Sequence, residues 1–310
     1  MAKIRLAFLS ALAVMLVAAT AQSEERYPFR LPEWLWADDE RYSSLVDESE
    51  RSKIQALLAE AAALKAAKLD AAADAKESAA TALINGQFSR RDLIRAAPVV
   101  KGGSFELALH LDPKFPAEIQ PVLTEAAAIF LQLATREDIV AKAFALGGDR
   151  PEPWPERGTD GRLNPAWQFA MRSIVKPASV RSFIAGMDAV LKPADLDLPL
   201  LVISSYAGGV WWGGGIYDFY RSSDVQLKRL GAQGFLYIRL NLDRMAPDNP
   251  QRLDPGFWAS KIAHEILHNL GYWHPNYADP AERDRLNSGP QRAFLVAYET
   301  ALFEAAGTVK

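Results

Sequence analysis

The sequence predicts an α+β domain preceded by an alanine-rich helical segment. Three observations carry the prediction. Short apolar runs at 104–112, 198–206 and 235–242, alternating or continuous, read as strands. Stretches at 117–145, 179–191, 256–270 and 290–306 have helical spacing. Ahead of them, residues 38–84 contain neither Pro nor Gly and are dominated by Ala, Leu, Glu and Lys, a composition that favours helix.

Residues 1–21 place Lys3 and Arg5 before an apolar run from Leu6 to Ala19 and end in Ala19-Thr20-Ala21. A basic start, an apolar middle and a small-residue cleavage site make an export signal, with cleavage expected after Ala21. The run is short for a hydrocarbon core of about 30 Å. The mature chain is therefore expected to be secreted or periplasmic, without a membrane partner. Residues 22–37 are rich in Pro, Trp and Arg and read as an extended segment that docks its aromatics. In the helix that follows, Leu57, Leu64, Leu69 and Leu83 give only a sparse stripe, so a coiled coil is not expected. Asn85-Gly86 is the expected stop. Arg90-Arg91 is expected in the loop beyond, where proteases cut. The expected organisation is a signal at 1–21, an aromatic and helical segment at 22–97 that is an accessory or pro-region, and a catalytic domain at 98–310.

Within 98–310, Phe105, Leu107, Leu109 and Leu111 alternate with Glu106, Ala108 and His110, the pattern of a half-buried strand. Pro113 and Pro116 end it. Ile119, Leu123, Ala126, Ile129, Phe130 and Leu133 mark one long amphipathic helix over 117–145. After a Gly, Pro and charged loop at 147–166, helical patterns recur at 166–175 and 179–191. The continuous run Leu198 to Ser204 predicts a buried strand, followed by a glycine-rich loop at 208–215 that carries Trp211 and Trp212. Strand 235–242 alternates again, and Pro247, Pro250 and Pro255 lead into the next helix.

Composition narrows the function. The 310 residues are 49% hydrophobic and 24% charged, ordinary for a globular chain. Lys and Arg number 35 against 38 Asp and Glu, which argues against a nucleic-acid partner. There is no cysteine, so disulfides, thiol nucleophiles and Cys-ligated zinc are excluded. Three of the four histidines fall within His264-Glu265-Ile266-Leu267-His268-Asn269-Leu270-Gly271-Tyr272-Trp273-His274-Pro275. On a helix, His264 and His268 share one face. Glu265 lies about 100° further round, placed to reach a water rather than to be a third ligand. Gly271 lets the chain leave the helix with positive φ and return His274. Three imidazoles with an open fourth position make a catalytic Zn2+ site. The fourth histidine, His110, reads as an ordinary strand residue.

This twelve-residue string resembles the zinc signature of the metzincin metallopeptidases. The element order from about 100 to 310 is also similar to their catalytic domain: a twisted mixed sheet, a long backing helix, an active-site helix and a C-terminal helix. The resemblance implies His264, His268 and His274 as zinc ligands and Glu265 as general base, with a protein or peptide as substrate. Metzincins also carry a methionine in a turn beneath the metal. No Met follows His274 here, and Leu286 in Leu286-Asn287-Ser288-Gly289 is the expected replacement. Tyr277 and Tyr298 are the downstream candidates for an assisting tyrosine. Strand 235–242 is the expected edge for an extended substrate, with Trp211 and Trp212 as candidate cleft residues. Two alternatives share the motif: a zinc amidase acting on cell-wall peptides, and a zinc-binding protein without turnover.

Overall fold

The computed structural model describes residues 48–87, 90–147, 176–194, 196–208, 213–214, 234–272 and 292–308. The expected signal, the aromatic segment, helix 166–175, most of the glycine-rich loop, Trp211, Trp212, His274, Tyr277 and Leu286 lie outside them. The chain divides into two compact units, up to Ala96 and from Ala97 onward.

In the first unit, α1 (Glu48–Ala66) and α2 (Asp70–Gln87) pack against each other as a hairpin, and α3 spans Arg90–Ala96. The single helix expected over 38–84 is thus broken at residues 67–69. Lys68 adopts φ 59°, and the Leu69 N–H bonds back to the Leu64 carbonyl at 2.9 Å. This is the closure that glycine usually supplies at a helix end, so composition alone did not reveal it. Folding back accompanies burial of Ile54, Ala61, Ala73, Ala80 and Ile84, and Lys65–Glu77 and Lys76–Glu60 pair across the hairpin at 2.5 and 2.6 Å. Arg90-Arg91 opens α3 and does not lie in a loop; arginine is a good helix former, and a helical pair is a poorer protease site.

The second unit is α+β. Its five-stranded mixed sheet has the order β1-β2-β3-β5-β4. β1 (Val99–Gly102) and β2 (Phe105–Leu111) form an antiparallel hairpin around Gly103-Ser104. β3 (Leu200–Tyr206) runs parallel to β2 and to β5 (Phe235–Asn241). β4 (Gly213–Gly214) pairs antiparallel with Leu240 and Arg239 on the far side of β5. Strand 235–242 is therefore flanked on both sides and is not the edge expected for it. Nor is β2 half-buried. Ala108 and His110 are as buried as Leu107 and Leu109, so both faces of β2 are covered.

The helix expected over 117–145 is two helices, α4 (Ile119–Leu133) and α5 (Glu137–Leu146). Arg136 turns to an extended backbone with ψ 122° and forks its guanidinium onto Asp138. Apolar spacing runs on across the break, with Leu133 and Val140 both buried, so periodicity gave no sign of it. α4 passes so close to β1 that a Cβ on Gly102 would stand 2.0 Å from the Ala128 carbonyl oxygen, a position only glycine can fill. α6 (Val180–Leu191) starts at Ser179 with a reciprocal cap to Ser182.

Two helices complete the unit, α7 (Pro255–Asn269) and α8 (Phe294–Ala306). α7 begins as its sequence dictates. Asp254 caps the Phe257 N–H at 3.1 Å and Pro255 occupies the first turn, where its missing N–H costs nothing. Its inward stripe of Trp258, Ile262, Ile266 and Leu267 is completely buried, each large side chain contributing about 1.5–3 kcal/mol. It packs on α4, α8 and β5, alongside Leu109, Leu201, Ile203, Leu236 and Ile238 from one face of the sheet. No helix among the described residues is long and apolar enough to cross a membrane.

Candidate metal centre

The buried stripe of α7 leaves Lys261, His264 and His268 on another side of the helix, where each is only partly buried. One turn separates the two histidines, and their ring centroids lie 5.1 Å apart. Each ring has an oxygen close to its Nδ1. His264 Nδ1 stands 2.6 Å from Glu299 Oε2 on α8. His268 Nδ1 is 2.9 Å from the Tyr272 carbonyl. With Nδ1 turned to a carboxylate or a carbonyl, Nε2 is the nitrogen of each neutral ring left to carry the lone pair a metal needs.

The helix terminus builds the second of these contacts. The Gly271 N–H bonds the His268 carbonyl at 3.0 Å, and the Tyr272 N–H reaches back to the Leu267 carbonyl at 2.9 Å. Gly271 has φ 86°. This paired closure ends a helix on a left-handed residue, so the exit expected at Gly271 is observed. It turns the Tyr272 carbonyl toward the His268 ring, while the Tyr272 ring joins Phe183 and Phe294 in an aromatic cluster.

Electrostatics separate the two imidazoles. Burial opposes charging both rings. At His264 the Glu299 carboxylate outweighs it and lifts the pKa above the ordinary value. At His268 burial, reinforced by neighbouring His264, lowers the pKa to about 3. His268 is thus neutral at neutral pH, the metal-binding form of the ring. Burial alone would raise Glu299, but His264 and Lys261 more than offset it and hold the carboxyl at about 2.

Glu265, next along the helix, is buried. Four residues on, Asn269 ties α7 to β5: the Tyr237 N–H donates to Asn269 Oδ1 at 2.8 Å, and Asn269 Nδ2 donates to the Tyr237 and Glu265 carbonyls, each at 3.0 Å. Tyr206, at the end of β3, has its pKa raised by burial and then by the charge of Glu265. Arg239 lies over the Tyr206 ring at 5.4 Å. Beyond Tyr206, Gly208 is pinned by Asp243, which accepts its N–H at 2.7 Å, and by Asn241 Nδ2, which donates to its carbonyl at 3.3 Å.

The structure therefore brings His264, His268 and Glu265 onto one helix in the expected arrangement. His274 lies outside the described residues, and among those described no group of three or more His, Asp or Glu side chains stands ready to hold a metal. His110 is a strand residue opposite Val202, as expected, but it is buried, which the half-buried pattern did not anticipate. Tyr298 is completely buried, and its hydroxyl donates to the Ala134 carbonyl at 2.7 Å, so it is a core residue and not an assisting tyrosine. Glu299 and Tyr206 were missed from sequence. Glu299 had a signal, a carboxylate on a helix whose neighbours Leu295 and Leu302 are buried, since such charges are rare without a partner.

No family model, curated protein or solved structure matches the chain.

Proposed function

We propose that this chain is a zinc-dependent metalloendopeptidase of metzincin type, exported to the periplasm or the cell exterior. The observation that carries the proposal is the pair His264 and His268, 5.1 Å apart on one helix face with Nδ1 of each ring directed to a carboxylate or a carbonyl. That donor set fits zinc, which takes neutral imidazole nitrogens. His264 and His268 would hold the ion, with His274 as third ligand. The α+β architecture, with a backing helix, α7 and a closing α8 around a mixed sheet, is compatible with this class.

When bound, zinc supplies Lewis acidity toward the scissile carbonyl and makes the attacking water more acidic. Glu265 accepts the proton from that water and delivers it to the leaving amine. Its burial keeps the carboxylate out of competition with bulk solvent. Among the described residues β4, not β5, forms the edge of the sheet on this side, so a substrate adding as an extended strand would pair there.

The test has two parts. Elemental analysis of the purified chain should find about one zinc, and His268→Ala should lose most of it. Casein, a peptide library and peptidoglycan are then compared as substrates. Cleavage confined to peptidoglycan would favour the amidase alternative. Zinc without any turnover would favour a binding protein.

A further inference from the structure

α7 and α8 meet along a line of side chains that packing alone does not require. Lys261 and His264, three residues apart on α7, both reach Glu299 on α8. The three are largely buried, with 17% of the Lys261 and Glu299 side chains and 12% of His264 exposed. Around them the interface is apolar: Phe257 meets Phe303 edge-on, and Leu295, Tyr298 and Leu302 are buried on α8. A carboxylate in such a stripe costs free energy unless its charge is met. Lys261 alone would meet it. The second contact, from Nδ1 of His264, does something else.

We propose that Glu299 is a positioning residue for the metal centre, setting the tautomer and the ring orientation of His264, with Lys261 holding the carboxylate in place. An ionised carboxylate only accepts hydrogen bonds. The nitrogen that stands 2.6 Å from it is therefore the one favoured to carry the hydrogen. When the ring gives up its second proton, Nε2 is left as the lone-pair nitrogen, facing away from the second helix. Carboxylates that hold a ligating histidine in this way typically account for 10–100-fold in metal affinity. His268 receives the same service from the Tyr272 carbonyl on its own helix. The two rings are thus set from different parts of the chain, one locally and one by the C-terminal helix. The inference rests on the proposed metal site for its consequence, but the tautomer is a property of the metal-free chain.

The experiment uses the full chain in three variants: Glu299→Met, which keeps bulk without charge, Glu299→Gln, which keeps an accepting oxygen, and the double variant Lys261→Met with Glu299→Met, which leaves no buried lysine unpaired. Two quantities are read: the His264 tautomer, from imidazole nitrogen NMR on the metal-free protein at alkaline pH where the ring is neutral, and zinc affinity, from competition with a chromophoric chelator. Glu299→Met and the double variant should lose the Nδ1–H preference and bind zinc about 10–100-fold more weakly. Glu299→Gln should retain the tautomer and most of the affinity. Parental affinity and tautomer in the double variant would overturn the proposal. If the parent binds no zinc, the metallopeptidase reading falls, and the tautomer result by itself decides the role of Glu299.

Discussion

The backbone carbonyl of Tyr272 lies 2.9 Å from Nδ1 of His268, and the residue between them in the turn, Gly271, is the one with positive φ. The end of α7 and the orientation of one candidate ligand are therefore the same structural event. A side chain at Gly271 would act on both. Gly271→Ala is expected to destabilise the fold by about 1–2 kcal/mol, the usual strain of a left-handed residue with a Cβ, and to weaken zinc binding at the same time. Denaturant unfolding and chelator competition measure the two effects; a loss of stability with parental zinc affinity would show that the turn does not orient the ring.

Glu265→Gln separates chemistry from metal binding. The amide preserves volume and leaves both histidines untouched, so zinc content should match the parent. Peptide hydrolysis should fall by about 10²–10⁴-fold, the usual contribution of a general base. Parental turnover in this variant would remove Glu265 from the mechanism.

Two tyrosines make opposite predictions. Tyr298→Phe deletes the donor to the Ala134 carbonyl and should cost about 1–3 kcal/mol, the penalty for leaving a buried acceptor unmet. Turnover per folded molecule should not change. Tyr206→Phe, near the charge of Glu265, should lower turnover with little loss of stability. Thermal unfolding and initial rates on both variants check the contrast, and reversal of the two profiles would refute it.

The helical hairpin of the first unit should be the less protected part of the chain. Its buried side chains are two isoleucines and alanines, and alanine offers little area to bury. The bridging pairs Lys65–Glu77 and Lys76–Glu60 are partly exposed, worth at most about 1 kcal/mol each and screened by salt. Backbone amides of α1 and α2 are expected to exchange hydrogen well before those of α7, and Ile54→Ala should open the hairpin while leaving α7 protected. Uniform exchange across both units would contradict this.

What could be read from the sequence follows from the range of the forces involved. β3, β5 and α7 have boundaries within a residue or two of those their apolar patterns imply, because burial imposes a period on local sequence. The breaks at Lys68 and Arg136 did not show, since each is made by ordinary residues in backbone conformations that no glycine or proline announces. β4 is two glycines with no pattern to read. His264, His268 and Glu265 were legible because helical geometry places them. For Glu299 only the odd placement of a carboxylate among apolar helix positions was legible; its partner was not, because His264 lies thirty-five residues upstream and meets it only through tertiary packing.

The Asn269 side chain satisfies both the N–H and the carbonyl of Tyr237, and so occupies the groups that an adjacent strand would use. With β4 pairing Arg239 and Leu240, the side of β5 away from β3 has partners at three of its positions among the described residues. Unpaired strand edges recruit neighbouring chains into sheets and aggregates. Asn269 thus fills, from a helix, the place that a strand would take beside Tyr237.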